Sequence, residues 1–207
     1  FSPGAEVAGV VSQVGEGVSG LRVGDRVIGR SGWGGMAEMI ALPARACTQI
    51  PKEMPFEQAA AFIFAYATAY YALHTRARLR SGETVLILGA SGGLGIAAIE
   101  IAKAQGARVI AAASTEEKLS FAIEKGADAG LVYPTRADDK ADLEALGRLF
   151  KEHLGKDGAD VIFDPVGGIY AEQALRVAAE HARYLVLGFT AGIPRVPLNL
   201  PLLKSCD

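Results

Sequence analysis

The spacing of apolar residues divides the chain into two regions. In residues 1–50, glycines interrupt short apolar runs every few positions, a pattern typical of short barrel strands with sharp corners. We predict strands at 6–11 and toward the end of 21–29, and a loop that enters a third strand at 33–40. A helix that opens at Pro55 then runs through an alanine-rich stretch and joins the two regions.

The most informative pattern lies at residues 84–95, TVLILGASGGLG. An apolar run ends in a glycine-rich turn, and helix-favouring residues follow from 96 to 105. This order can bring a phosphate to a helix N-terminus, with glycines for a tight turn, close backbone approach and helix–strand packing. The spacing G-x-x-G-x-x-G has one more residue between its first two glycines than the usual dinucleotide fingerprint. We interpret it as a nucleotide site, and a purely structural turn is the alternative.

Downstream, apolar runs alternate with segments of helical pattern. The predicted strands are 108–113, 131–133, 159–164 and 183–188. The predicted helices begin at 115, span 140–154 and span 170–179. This alternation predicts an α/β fold with a doubly wound parallel (Rossmann) sheet. We therefore predict two domains, at 1–60 and 61–207, of which the second binds the nucleotide.

Composition excludes several function classes. The chain is 50% hydrophobic with a net charge of -2 and no basic stripe, so neither nucleic acid nor a membrane surface is an expected partner. The apolar stretch 59–73 is too short to span a bilayer comfortably.

Cysteines and histidines are few and scattered, so no metal site is predicted and a reducing compartment is expected. We expect a cytoplasmic protein. A mitochondrial one is the alternative, because the sequence begins at Phe1 without a methionine and is interpreted as a fragment, from which a targeting segment would be missing.

The residues after the second predicted strand of this sheet indicate which nucleotide binds. An NAD site usually places a carboxylate about 20 residues past the glycine turn, on the ribose hydroxyls. Here residues 111–114 read AAAS, without a carboxylate. Ser114 and Lys118 instead offer a hydroxyl and a cation, which suit a 2′-phosphate, so we favour NADP(H) over NAD. The alternatives are a solvated helix lysine at 118 and an NAD-dependent dehydrogenase.

Ligands of doubly wound sheets lie across the carboxyl ends of the strands. That rule selects residues at or just past predicted strand ends: Gly92, Gly93, Leu94, Ser114, Tyr133, Val166, Gly167, Gly188 and Phe189. Asp164 also lies there, and we interpret it as a cap for the following helix. No Ser/His/Asp set and no paired carboxylates are evident, so the remaining chemistry is hydride transfer by the cofactor.

Several segments together resemble the medium-chain dehydrogenase/reductases, in the zinc-independent quinone oxidoreductase (zeta-crystallin-like) branch. They are PGAEVAGVV at 3–11, VGDRV at 23–27, ATAYYAL at 67–73, GASGGLG at 89–95 and FDPVGG at 163–168. The resemblance implies a GroES-like catalytic domain, incomplete, at 1–60 and an NADP-binding Rossmann domain at 61–207 without its last strand. It also implies a homodimer, since that last strand pairs two subunits in the family.

The resemblance implies roles for individual residues. Ser91, Gly92, Gly93 and Leu94 would face the pyrophosphate; Ser114, Lys118 and Tyr133 would hold the 2′-phosphate; Thr68, Tyr71, Gly188 and Phe189 would approach the nicotinamide. Ala5 stands where zinc-dependent relatives place a histidine ligand, so no metal is expected. The catalytic residue stays open: Tyr71 is one candidate proton donor, and a water or a group outside this stretch is another.

The resemblance further implies the reaction. NADPH would reduce a quinone or an α,β-unsaturated carbonyl, because conjugation in such an acceptor spreads the incoming charge without a metal. A non-catalytic NADPH-binding protein, either a redox sensor or a crystallin-like protein, is the alternative.

Overall fold

The structure, a computed structural model, describes residues 2–136 and 140–207. The chain divides into two compact units, Phe1–Thr68 and Ala69–Asp207. In the described part of the chain, no helix is long and apolar enough to cross a membrane.

The first unit contains a three-stranded antiparallel sheet. Its strands are β1 (Glu6–Val10), β2 (Arg26–Arg30) and β3 (Cys47–Gln49), in the order β1-β2-β3. The strand predicted within 33–40 is wrong, since that segment is irregular and the third strand lies at β3. The amides of Gly34, Gly35 and Met36 bond back to the carbonyls of residues 2–4, and Met36 and Met39 are exposed. The segment therefore folds against the start of the chain and does not extend along the sheet.

The helical connection is segmented, whereas the sequence predicted one helix. It consists of α1 (Phe56–Ala59), α2 (Ile63–Tyr70) and a π-helical turn at Tyr71–Arg76. Between α1 and α2, the amides of Ala61 and Phe62 bond to carbonyls three residues back, which tightens the chain and breaks the helix. The wider π-helical turn buries Ala72 and Leu73.

The second unit is built on a five-stranded parallel sheet in the order β6-β5-β4-β7-β8. The strands are β4 (Thr84–Leu88), β5 (Arg108–Ala113), β6 (Ala129–Val132), β7 (Ala159–Asp164) and β8 (Ala178–Val186). The helices are α3 (Gly93–Ala104), α4 (Glu116–Glu124), α5 (Lys140–Leu154), α6 (Tyr170–Arg176) and α7 (Asn199–Lys204). The predicted Rossmann sheet is confirmed, and the strand order changes direction at β4, between β5 and β7.

The core lies on both faces of this sheet. Val85, Leu86, Ile87 and Leu88 in β4 are completely buried, as expected for a central parallel strand covered by helices on each side. Phe150 on α5 and Phe163 on β7 are also completely buried. This packing holds the carboxyl ends of the strands, where the candidate site lies, in fixed positions.

Several boundaries in the second unit differ from prediction: β6 spans 129–132 and not 131–133, and β8 ends at 186 and not at 188. Helix α6 ends at Arg176, not at 179, because Ala178 already pairs with Ala159 of β7. Strand β8 then makes an exposed excursion at Glu180 and His181, with His181 at a φ of 61°, before Arg183 pairs with Val161. The sequence showed only the regular second half of this strand.

Candidate nucleotide-binding site

The glycine turn between β4 and α3 gives each of its spaced glycines a different physical role. Gly89 leaves β4 with a positive φ of 60°. Gly92 is the extended residue at the N-cap of α3. A Cβ on Gly95 would lie 2.5 Å from the carbonyl oxygen of Gly89, so only glycine allows the helix to start this close to the strand.

The turn leaves the N-terminus of α3 open. Gly92 and Gly93 are exposed, and a Cβ on Gly93 would meet nothing within 4 Å. In the described residues no side chain caps Gly92, and the first amide that bonds back to it is that of Ile96, at 2.8 Å. The amides of the first turn and the helix dipole therefore face an open space, an arrangement that favours an anion. Ser91, which is half-buried, and Leu94 flank the two glycines in the sequence.

Ser114 and Lys118 come together beyond the end of β5, the strand next to β4. The ammonium group of Lys118 donates a hydrogen bond to the hydroxyl of Ser114, at 3.0 Å. Thr115 caps α4, since its hydroxyl accepts the amide of Lys118 at 3.2 Å. Ser114 is thus not the cap of α4, and its hydroxyl accepts the Lys118 ammonium instead. Glu116 and Glu117 occupy the first turn of α4, where they complement the helix dipole.

Tyr133, which is predicted to contact the 2′-phosphate, is almost completely buried. Only 6% of its surface is exposed, and its ring packs against Tyr170 with the centroids 4.6 Å apart. Burial raises the pKa of Tyr133 to about 12, and the neighbouring Tyr170 adds to this, while a backbone hydrogen bond from Gly89 acts in the opposite direction. Tyr133 is therefore a neutral phenol next to the glycine turn, and its contact with a 2′-phosphate stays a prediction.

The loops after β7 and β8 form one paired structure, which we call the loop pair (residues 165–168 and 187–192). The amide of Gly168 donates to the carbonyl of Gly192 at 2.7 Å, and the amide of Ala191 donates to Val166 at 2.8 Å. A Cβ on Gly167 would lie 2.7 Å from the oxygen of Gly192, and one on Gly188 would lie 2.8 Å from that of Pro165. Both glycines are thus required by close packing between the two loops.

The interpretation of Asp164 as a helix cap is wrong. Its carboxylate accepts the amides of Val166 and Gly167, each at 2.8 Å, and so it shapes the turn that precedes α6. Helix α6 begins after Ile169 without a side-chain cap in the described chain. The sequence pattern DPVGG fits a turn stabilised by its own aspartate, and this was the signal that could have corrected the interpretation.

Sequence reasoning missed Tyr184 altogether. Its hydroxyl donates to the second carboxylate oxygen of Asp164 at 2.6 Å, from the neighbouring strand β8. Burial, followed by the adjacent Asp164 carboxylate, raises the pKa of Tyr184 well above its usual range. Nothing in the sequence pairs these two residues, because their contact depends on the register between β7 and β8.

The remaining predicted residues are placed as follows. Thr68 is the last residue of the first unit, and Tyr71 begins the π-helical turn of the second unit with 55% of its surface exposed. Phe189 lies in the loop pair and is 50% exposed. Within residues 2–136 and 140–207, no group of three or more His, Cys, Asp or Glu side chains is arranged to hold a metal ion.

Two family models match the chain. A zinc-binding dehydrogenase domain matches residues 93–206, and an alcohol dehydrogenase GroES-like domain matches residues 1–52. Quinone oxidoreductase-like protein 2 from Bos taurus is 42% identical over 207 residues, which are 99% of this chain and 57% of that protein. The chain thus spans a little over half the length of the curated relatives it matches.

Solved structures show the same fold. Quinone oxidoreductase from Escherichia coli, complexed with NADPH, superposes with a TM-score of 0.85 at 31% identity, over 99% of this chain and 61% of that one. The CurK enoyl reductase superposes with a TM-score of 0.82 at 30% identity, over 100% of this chain and 59% of that one.

Proposed function

This chain belongs to the medium-chain dehydrogenase/reductase superfamily, in the quinone oxidoreductase-like branch, and we propose that it acts in an NADPH-dependent reductase of quinones or α,β-unsaturated carbonyls. The observation that carries the proposal is the open, uncapped glycine turn of α3 with the Ser114–Lys118 pair at the end of the adjacent strand. The related enzyme from Escherichia coli was solved with NADPH, which supports this cofactor.

The residues present fit NADP(H). The exposed backbone around Gly92 and Gly93 suits the pyrophosphate, because no Cβ stands between its amides and the ligand. The Lys118 ammonium and the Ser114 hydroxyl suit the 2′-phosphate, which needs a cation and a hydrogen-bond donor. The full proposed set is Thr68, Tyr71, Ser91, Gly92, Gly93, Leu94, Ser114, Lys118, Tyr133, Gly167, Gly188 and Phe189.

The bound nicotinamide would supply the hydride. The protein contributes binding and orientation, since a reacting pair must be held within a fraction of an ångström of its productive geometry. Gly167, Gly188 and Phe189 of the loop pair are proposed to border the nicotinamide end. A proton must also reach the reduced product, and the exposed hydroxyl of Tyr71 and a bound water are both candidates for its donor.

The class of substrate is inferred from the negative charge that a hydride adds to its acceptor. Ala5 replaces the histidine that zinc-dependent relatives use as a ligand, so we propose catalysis without zinc. Without a Lewis acid, an acceptor must delocalise the charge itself, as a quinone or an enone does. The likeness to an enoyl reductase supports the enone as well as the quinone.

Turnover with simple acceptors tests this function. We expect the purified protein to oxidise NADPH in the presence of 1,4-benzoquinone or a short enone, and to oxidise NADH much more slowly. The absorbance of the reduced nicotinamide reports the rate directly. Tight NADPH binding without turnover on either acceptor would overturn the reductase and favour a binding protein such as a sensor.

A further inference from the structure

We propose that Tyr184 and Asp164 are positioning residues that fix the loop pair and thereby place the nicotinamide half of the cofactor, without a role in binding the adenosine half. The inference rests on the proposed function, because it assigns the loop pair to the nicotinamide end of the same site.

Asp164 joins three parts of the structure through one carboxylate. It is 1% exposed, at the last position of β7. One oxygen accepts the amides of Val166 and Gly167, and the other accepts the hydroxyl of Tyr184. A buried carboxylate with three donors is held in a single orientation, and the loss of any donor leaves part of its charge unsatisfied.

The constraint passes from Asp164 into the loop pair. Once the amides of Val166 and Gly167 are fixed, the carbonyl of Val166 accepts the amide of Ala191 and the amide of Gly168 donates to Gly192. The loop after β8 is therefore held by the turn after β7. The amide of Leu187 adds to this by donating to the backbone carbonyl of Asp164 at 2.9 Å.

The same constraint reaches the glycine turn. A Cβ on Gly89 would lie 2.9 Å from a methyl carbon of Val166, so this side chain is in close contact with the start of the turn. A displaced Val166 would alter the space between the glycine turn and the loop pair. Ser114 and Lys118 lie beyond β5, on the other side of β4 in the sheet, and share no hydrogen bond with Asp164 among the described contacts.

Packing alone does not require a hydroxyl group at residue 184. A phenylalanine ring would fill the same space between β8 and its neighbours, and only the bond to Asp164 would be lost. Tyr170 provides a matched comparison, because it is also buried and its hydroxyl donates at 2.8 Å to the carbonyl of Pro134, which is not a residue of the loop pair.

The experiment compares two quantities in Tyr184→Phe, Asp164→Asn and the control Tyr170→Phe. One is the affinity for 2′,5′-ADP, which carries the adenosine half and the 2′-phosphate, measured by calorimetry. The other is the single-turnover rate of NADPH oxidation by 1,4-benzoquinone. We expect Tyr184→Phe to slow hydride transfer about tenfold, with the affinity for 2′,5′-ADP changed less than about twofold.

The two companion variants sharpen the result. Asparagine at 164 can accept both amides with its oxygen and donate to Tyr184 with its nitrogen, so we expect a rate within about threefold of the wild type. We expect Tyr170→Phe to change neither quantity, since its ring stays in place.

Four outcomes would decide against the inference or its basis. Parallel losses of 2′,5′-ADP affinity and rate in Tyr184→Phe would indicate general disruption and overturn it, as would an unchanged rate. Equal losses in Tyr184→Phe and Tyr170→Phe would overturn it too. A wild-type protein that binds neither NADPH nor 2′,5′-ADP would instead refute the proposed function itself.

Discussion

Lys118 is the residue that distinguishes the two cofactors in this account. Its ammonium already bonds to Ser114, so a 2′-phosphate would join an existing pair of donors. We expect Lys118→Ala to weaken NADPH binding about 10–100-fold, the range for a lost hydrogen bond to a charged group, and to leave NADH binding nearly unchanged. Fluorescence titration of both nucleotides measures this.

The control for this prediction is the residue directly after the same helix. Lys125 is at the C-terminal end of α4, with its ammonium 5.2 Å from the ring centroid of Phe121. Lys125→Ala removes the same charge far along the helix from Ser114, and we expect both nucleotides to bind as before. Equal losses for NADPH and NADH in Lys118→Ala would refute the phosphate assignment.

Two neighbouring glycines should respond in opposite ways to alanine. Gly95→Ala places a methyl group against the Gly89 carbonyl, and we expect a loss of about 1–3 kcal/mol in the free energy of unfolding. Gly93→Ala points into open space, so stability should change by less than about 0.5 kcal/mol. Because the new methyl would occupy the proposed pyrophosphate space, NADPH affinity should still fall.

Urea unfolding and NADPH titration of the two variants separate these effects. An unchanged NADPH affinity in Gly93→Ala would contradict the assignment of the turn.

For single residues, the sequence predicted the glycine turn and the Ser114–Lys118 pair because both depend on residues close together in the chain. It missed Tyr184 because that contact joins two strands across the sheet.

At the scale of elements, an ion pair connects the chain before β4 with β8. Arg183 donates to the carboxylate of Glu83 at 2.6 Å, and the amide of Arg80 donates to it at 2.8 Å. Burial alone would raise the pKa of Glu83, but these bonds and the charge of Arg183 outweigh it and hold the pKa below its usual 4.5. A depressed carboxyl pKa adds stability above that value, and the stability is lost as the pH falls through the lower folded value.

We therefore expect Glu83→Gln to lower the free energy of unfolding at neutral pH. The difference from the wild type should shrink as the pH falls below 4.5, because the wild-type carboxyl also becomes neutral. Urea denaturation across the acid range measures it. Glu124→Gln, an exposed position near the end of α4, serves as the control. A difference that persists unchanged at the lowest pH would show that the contribution is not electrostatic.

Elements with a continuous apolar run and clear boundaries were predicted accurately. Strands β5 and β7 and helix α5 have the predicted bounds, and β4 ends directly before the glycine turn, as its apolar run indicated. The π-helical turn at Tyr71–Arg76 was not predictable, because its sequence YALHTR contains neither glycine nor proline to mark a change of helix type. The early start of β8 was missed because an excursion interrupts its pairing with β7.

At the scale of the whole molecule, the family and the cofactor fold follow from order and spacing along nearly the entire chain. The chain matches its curated relatives over 99% of its own length but only 57% of theirs in the case of the bovine protein. Strand β8 is at one edge of the described sheet, where its outer backbone groups are open to pairing with another strand. The homodimer stays a prediction, and this edge is the place where it would form.

A thermal-shift comparison of NADPH, NADP, NADH and NAD on the purified protein shows whether it binds nucleotides and whether it prefers those with a 2′-phosphate. Binding to the native state alone adds about 2.7 kcal/mol at a ligand concentration 100 times Kd, a shift in Tm of about 5–10 °C for a protein of this size class. We predict that NADPH and NADP raise Tm by this amount and that NADH and NAD raise it far less at equal concentrations. Equal shifts for all four nucleotides would refute the role of Lys118 and Ser114 in binding the 2′-phosphate, and no shift with any of them would refute the nucleotide site itself.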